Sequence, residues 1–67
     1  MKYEINGICD EAKKEFSLYI TRGDELVSDV FEFVNRSCLE SGIVDCIAYM
    51  NKYNYDYEKH FLVVREN

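Results

Sequence analysis

The chain has 67 residues, 13 acids against 8 bases, no proline and a net charge of −5. That length makes one domain, residues 1–67, with a marginal core, since so short a chain buries only about 60% of its unfolded surface. The negative surface repels phosphate backbones and anionic membranes, which argues against direct nucleic-acid or membrane binding and favours a partner with a basic surface.

No apolar run approaches the roughly 18 residues of a membrane span. The opening MKYEING lacks the apolar core of a signal peptide, so an intracellular, cytoplasmic location is expected. Cys9, Cys38 and Cys46 are odd in number and widely separated. They read as free thiols buried as small hydrophobes, not as a disulfide framework.

Lys2 to Asp10 alternates as a strand does, with Tyr3, Ile5, Gly7 and Cys9 on one face and Lys2, Glu4 and Asn6 on the other. Ile8 breaks the pattern. A polar connection to Lys14 follows, and Glu15 to Thr21 alternates again with Phe16, Leu18 and Ile20 on one face. These runs predict an antiparallel hairpin.

Thr21 to Gly42 predicts the central element, an amphipathic helix of roughly 18 residues. Val27, Val30, Phe31, Val34 and Cys38 recur at i, i+3, i+4, i+7, whereas Glu25, Asp29, Glu32, Arg36 and Glu40 fall opposite. Leu26 and Phe33 widen the apolar stripe on one flank. Thr21 with Asp24 resembles a capping box, and Gly42 fits a helix stop. Ile43 to Met50 then fits a strand by its β-branched content, although Ile43, Val44, Ile47 and Ala48 also sit at helical spacing. The polar Asn51 to Lys59 is a connection or extended strand end, and His60 to Arg65 is the last strand.

The expected architecture is α+β, a small four-stranded antiparallel sheet in ββαββ order with one helix across one face. Its other face would carry Ile8, Tyr19, Ile47 and Tyr49, with Phe61 or Val63. Such a face is too apolar for full solvation and invites a second copy or a target protein.

Catalysis finds little footing. His60 is the one side chain that titrates near neutrality, and it lies in an apolar strand without a nucleophile motif, phosphate loop or paired acids. A small enzyme or zinc protein built on His60 and the cysteines is the alternative from another class. The cysteines lack the close pairing that small zinc sites use, and no cofactor or metal is expected. Arg22-Gly23-Asp24 matches an adhesion tripeptide, but a turn with a helix cap explains it. A helix-turn-helix over residues 38–52 would need a basic second helix, and Lys52 is its one base.

Two features point to protein binding. In an extended chain Tyr53, Tyr55 and Tyr57 project to one side, giving large contact area at low entropic cost. On the predicted helix Glu25, Asp29 and Glu32 stand about 4.5–6 Å apart along the axis, a row that can steer a basic partner or imitate phosphates. The expected function is therefore a non-enzymatic interaction module. It would act as a stoichiometric inhibitor or adaptor on a basic, nucleic-acid-binding target, a size and style typical of phage or mobile-element proteins. A structural homodimer subunit is the alternative within the same class.

Overall fold

The hairpin expected at the start of the chain forms. In the computed structural model, which describes residues 2–64, β1 (Tyr3–Asp10) pairs antiparallel with β2 (Glu15–Arg22). Ile5 stands opposite Ile20, Gly7 opposite Leu18 and Cys9 opposite Phe16. One face of the hairpin is thus apolar, as the alternation demands.

The next segment is not a helix. Gly23, at φ 65°, turns the chain in a two-residue loop from β2 into β3 (Glu25–Leu26), and β4 (Phe31–Phe33) follows. Both strands pair with β2, Leu26 opposite Thr21 and Phe33 opposite Phe16. Between them the ladder is broken, and Ile20 N–H donates to Ser28 Oγ at 2.8 Å. The apolar spacing from Val27 to Cys38 is therefore coincidental. β-branched and aromatic side chains pack well on a pleated surface and are poor helix formers, and β2 offers an edge to complete. Thr21 is a strand residue, and Val34, read as core, is 84% exposed.

The helix begins later. Asn35 caps α1 (Arg36–Lys52), its Oδ1 accepting from Cys38 N–H at 2.8 Å. The stripe facing the sheet is Leu39 and Met50, both buried, with the half-buried Ile43, Cys46 and Ile47, a regular helical spacing that lays α1 over β1 and β2. The helical alternative for residues 43–50 is the correct one, because packing decides short segments more than propensity does. Gly42 is mid-helix. A Cβ there would lie 2.6 Å from Phe33 Cζ, so glycine is needed for close approach and not for termination. Gly7 plays the same part beneath the helix, where a Cβ would meet Ile43 Cδ1 at 2.8 Å and the Phe61 ring at 2.9 Å.

After α1, β5 (Tyr57–Val64) runs parallel to β1, with Tyr3 opposite Tyr57 and Gly7 opposite Phe61. The order across the sheet is β3-β2-β1-β5, with β4 also on β2. The fold is α+β as expected, with one helix on a mixed sheet of five strands. It departs from the antiparallel ββαββ arrangement because the helix comes between β4 and β5 and returns the chain to β1 in the same direction, as a crossover does. The predicted end of the last strand, Arg65, lies outside the described residues.

The core is Ile5, Cys9, Phe16, Leu18, Leu39 and Met50. Each large side chain among them contributes roughly 1.5–3 kcal/mol by leaving water. By register, the uncovered face carries Glu4, Asn6 and Ile8 of β1, Ser17, Tyr19 and Thr21 of β2, and Glu58, His60, Leu62 and Val64 of β5. Ile8 and Tyr19 lie where expected. Ile47 and Tyr49 belong to the helix, and Phe61 and Val63 face the helix side.

Candidate functional site

The C-terminal end of α1 gathers tyrosines. Tyr49 and Tyr53, one turn apart, bring their ring centroids to 4.7 Å. Tyr53 caps the helix, and Asn54 at φ 57° takes the left-handed conformation that reverses the chain. Asn54 N–H then donates to Asn51 O at 3.3 Å and Tyr55 N–H to Met50 O at 2.9 Å. These two bonds are the Schellman pattern, and they fold Tyr55 back over the helix end. Its ring stacks near Tyr49 at 6.3 Å and meets Tyr3 edge-on at 5.2 Å. Tyr3 N–H donates to Asp56 O at 2.9 Å, tying the reversal to β1.

Tyr3, Ile20, Val27, Tyr49, Met50 and Tyr55 line a shallow hollow of about 220 Å³. The Arg22 guanidinium lies 5.3 Å from the Tyr3 ring centre, and the Lys52 ammonium 5.5 Å from that of Tyr53. Aromatic surface of this kind buries large area with few rotatable bonds, and each phenol offers a polar tip. Val27 lines this hollow, and Val30 and Phe31 are exposed further along the same edge, whereas Leu26, opposite Thr21, is exposed on the other face.

Of the residues expected to bind a partner, Tyr53 and Tyr55 come together here. Tyr57 does not. It is half-buried on β5 opposite Tyr3 and packs on the core, because the turn at Asn54 breaks the extended alternation that would have aligned the three. Tyr3 and Tyr49 take its place. Tyr49 was detectable, since it precedes Tyr53 by one helical turn, but Tyr3 joins only through the parallel pairing of β1 and β5.

The acids Glu25, Asp29 and Glu32 are corrected in the same way. They stand on β3, the β3–β4 connection and β4, so they form no carboxylate row along a helix axis. Glu25 pairs with Arg22 beside the tyrosines, whereas Glu32 pairs with Ser17 and belongs to the uncovered face.

His60 and the cysteines do not converge. His60 Nε2 sits 3.5 Å from Glu4 Oε2 and 3.7 Å from Glu58 Oε2 on the uncovered face. Cys9 is buried under the helix, Cys46 is half-buried with a thiol pKa raised by desolvation, and Cys38 is exposed. No group of three or more His, Cys, Asp or Glu side chains able to hold a metal ion forms among the described residues. No helix there is long and apolar enough to cross a membrane. Comparison with protein-family models, curated proteins and solved structures finds no match of any of the three kinds.

Proposed function

We propose that the chain is a non-enzymatic interaction module that docks a basic partner protein on the tyrosine end of α1, as a stoichiometric inhibitor or adaptor. One observation carries this reading, the gathering of Tyr3, Tyr49, Tyr53 and Tyr55 into a surface cluster around a hollow. Clustered tyrosines beside exposed aliphatic groups are the composition of binding hot spots. The net charge of −5, with Glu25 opposite Arg22 and Asp56 joined to Tyr3 at the cluster, selects a basic rim on the partner.

Affinity capture from the native host with the wild-type chain, followed by surface plasmon resonance, tests it. Tyr53→Ala with Tyr55→Ala should raise the dissociation rate of the captured protein at least tenfold, since hot-spot truncations cost about 2 kcal/mol or more each. Arg22 and Lys52 on aromatic rings also resemble the cation-plus-ring platforms that stack nucleic-acid bases. A labelled single-stranded oligonucleotide should nevertheless stay unbound at physiological salt, given the charge. Unchanged capture by the double variant, or tight oligonucleotide binding, overturns the proposal.

A further inference from the structure

The two edges of the sheet are built differently. On one side β2 is completed by two short strands, β3 and β4, interrupted at Ser28 and fringed by Glu25, Asp29 and Glu32. Short, broken, charged edges are the usual protection against further pairing. On the other side β5 is eight residues long and contains no proline or residue of positive φ, and its outer edge pairs with nothing among the described residues. Four consecutive apolar residues, Phe61–Val64, fill its second half. Leu62 is 59% exposed on the uncovered face and Phe61 41% exposed on the helix side, so the strand offers apolar surface on both faces. The helix crosses β1 and β2 and leaves a cleft of about 340 Å³ toward β5, walled by Ile43, Val44, Ile47 and Phe61 with Glu40, Lys59 and His60 at its sides.

From this edge we infer that β5 pairs antiparallel with β5 of a second copy, joining the two sheets into one about a two-fold axis normal to them. Such an axis matches each residue with one of the same parity, so both helices stay on one side. Charge and pairing length choose among the allowed registers, and centring on Leu62 leaves Glu58 and Lys59 without partners among the described residues. Centring on Lys59 opposes two lysines, and centring on His60 opposes two imidazoles. Centring on Phe61 sets Phe61 against Phe61, Leu62 against His60, Val63 against Lys59 and Val64 against Glu58. No like charges face each other, and residues 58–64 are all paired. Cross-strand aromatic and aliphatic contacts of this kind stabilise a sheet, whereas like charges opposite one another weaken it. A second copy is the occupant this edge fits, because the strand can oppose itself along residues 58–64 with the exposed Phe61 and Leu62 covered and no like charges in register.

This contact is distinct from the tyrosine surface, and salt separates the two. Added salt should strengthen self-association, since two chains of charge −5 repel, and weaken capture of a basic partner. Sedimentation equilibrium from micromolar to submillimolar concentration should give a mass approaching twice the 8.0 kDa of the chain. Leu62→Lys should return it to the single-chain mass with an unchanged circular dichroism spectrum, because the exposed side chain leaves the core intact. Register is read by mild oxidation in a Cys38→Ser, Cys46→Ala background. Phe61→Cys should cross-link to itself, as directly opposed residues lie about 4.5–5.5 Å apart and disulfides span about 4.4–6.8 Å between Cα atoms. His60→Cys should not. A single-chain mass throughout for the wild type, a Leu62→Lys variant that still dimerises, or cross-linking at 60 in preference to 61 overturns the inference.

Discussion

Gly42 and Phe33 touch so closely that a Cβ on the first would stand 2.6 Å from Cζ of the second. Alanine normally stabilises a helix interior by about 1 kcal/mol over glycine. Here the phenyl ring would have to move out of its half-buried place on β4, and overpacking of this kind costs about 1–3 kcal/mol. Gly42→Ala should therefore lower the urea midpoint. In a Phe33→Leu background, which lacks the ring atoms in question, the same substitution should raise it. The same sign in both backgrounds would show that the contact does not limit residue 42.

Val34 and Leu39 test where the core lies. Val34→Asp should change stability by less than about 0.5 kcal/mol, since the side chain is already in water. Leu39→Ala removes a fully buried side chain between α1 and the sheet and should cost about 2–5 kcal/mol. Thermal melts in the opposite order would return the helix to residues 21–42.

Asn54 holds the left-handed position that folds Tyr55 onto the helix end. Asn54→Gly should keep or slightly raise stability, because glycine adopts this conformation freely. Asn54→Val should cost about 1–2 kcal/mol through its β-branched clash and weaken the near-ultraviolet dichroism of the tyrosine cluster. Equal behaviour of the two variants would mean that the Schellman turn does not position the rings.

The three thiols should react in order of exposure. Cys38 should label within the mixing time, Cys46 slowly and Cys9 only on unfolding. Desolvation holds the Cys46 thiol above its ordinary value of 9.0. The unfolded chain therefore ionises first as pH rises, and the stabilisation from this group, complete below that value, is lost as pH climbs through the folded pKa. Urea midpoints of wild type and Cys46→Ala should differ in slope between about pH 8 and about pH 10. Parallel slopes would remove Cys46 from the account.

Charge reversal should separate the acids. Glu25→Lys, beside Arg22 and the tyrosines, should slow association with a basic partner and mimic added salt. Glu32→Lys, paired with Ser17 on the uncovered face, should leave the association rate within twofold. Equal slowing by both would spread the contact across both faces of the sheet.

The legible parts of the sequence were those with a period of two. Tyr3–Asp10 and Glu15–Arg22 alternate because one face lies under the helix, and β5 was recognised from its apolar half. The helix was misplaced because residues 27–38 happen to match a period of 3.6, and Gly42 looked like a stop. The Arg22-Gly23-Asp24 turn between alternating runs was the contrary signal, pointing to a further strand. The true stripe, Leu39 to Met50, was masked by β-branched residues that favour strands until tertiary packing overrules them. In the site, Tyr53 was legible with Tyr55, but the loss of Tyr57 and the arrival of Tyr3 depend on a turn at Asn54 and a parallel pairing that no local window contains.

That parallel pairing also sets an order in time. Tyr3 meets Tyr57 across more than fifty intervening residues, a closure that must precede any reward from the contact. At about 5–20 residues per second of synthesis, β1 and β2 exist for seconds before the strand that flanks them has been made. Until α1 is made, Ile5, Phe16 and Leu18 have neither Leu39 nor Met50 above them, so the young hairpin shows its apolar side to the cell. A chain arrested before α1 would present a hairpin that chaperones recognise, and release from them would await the helix that covers it.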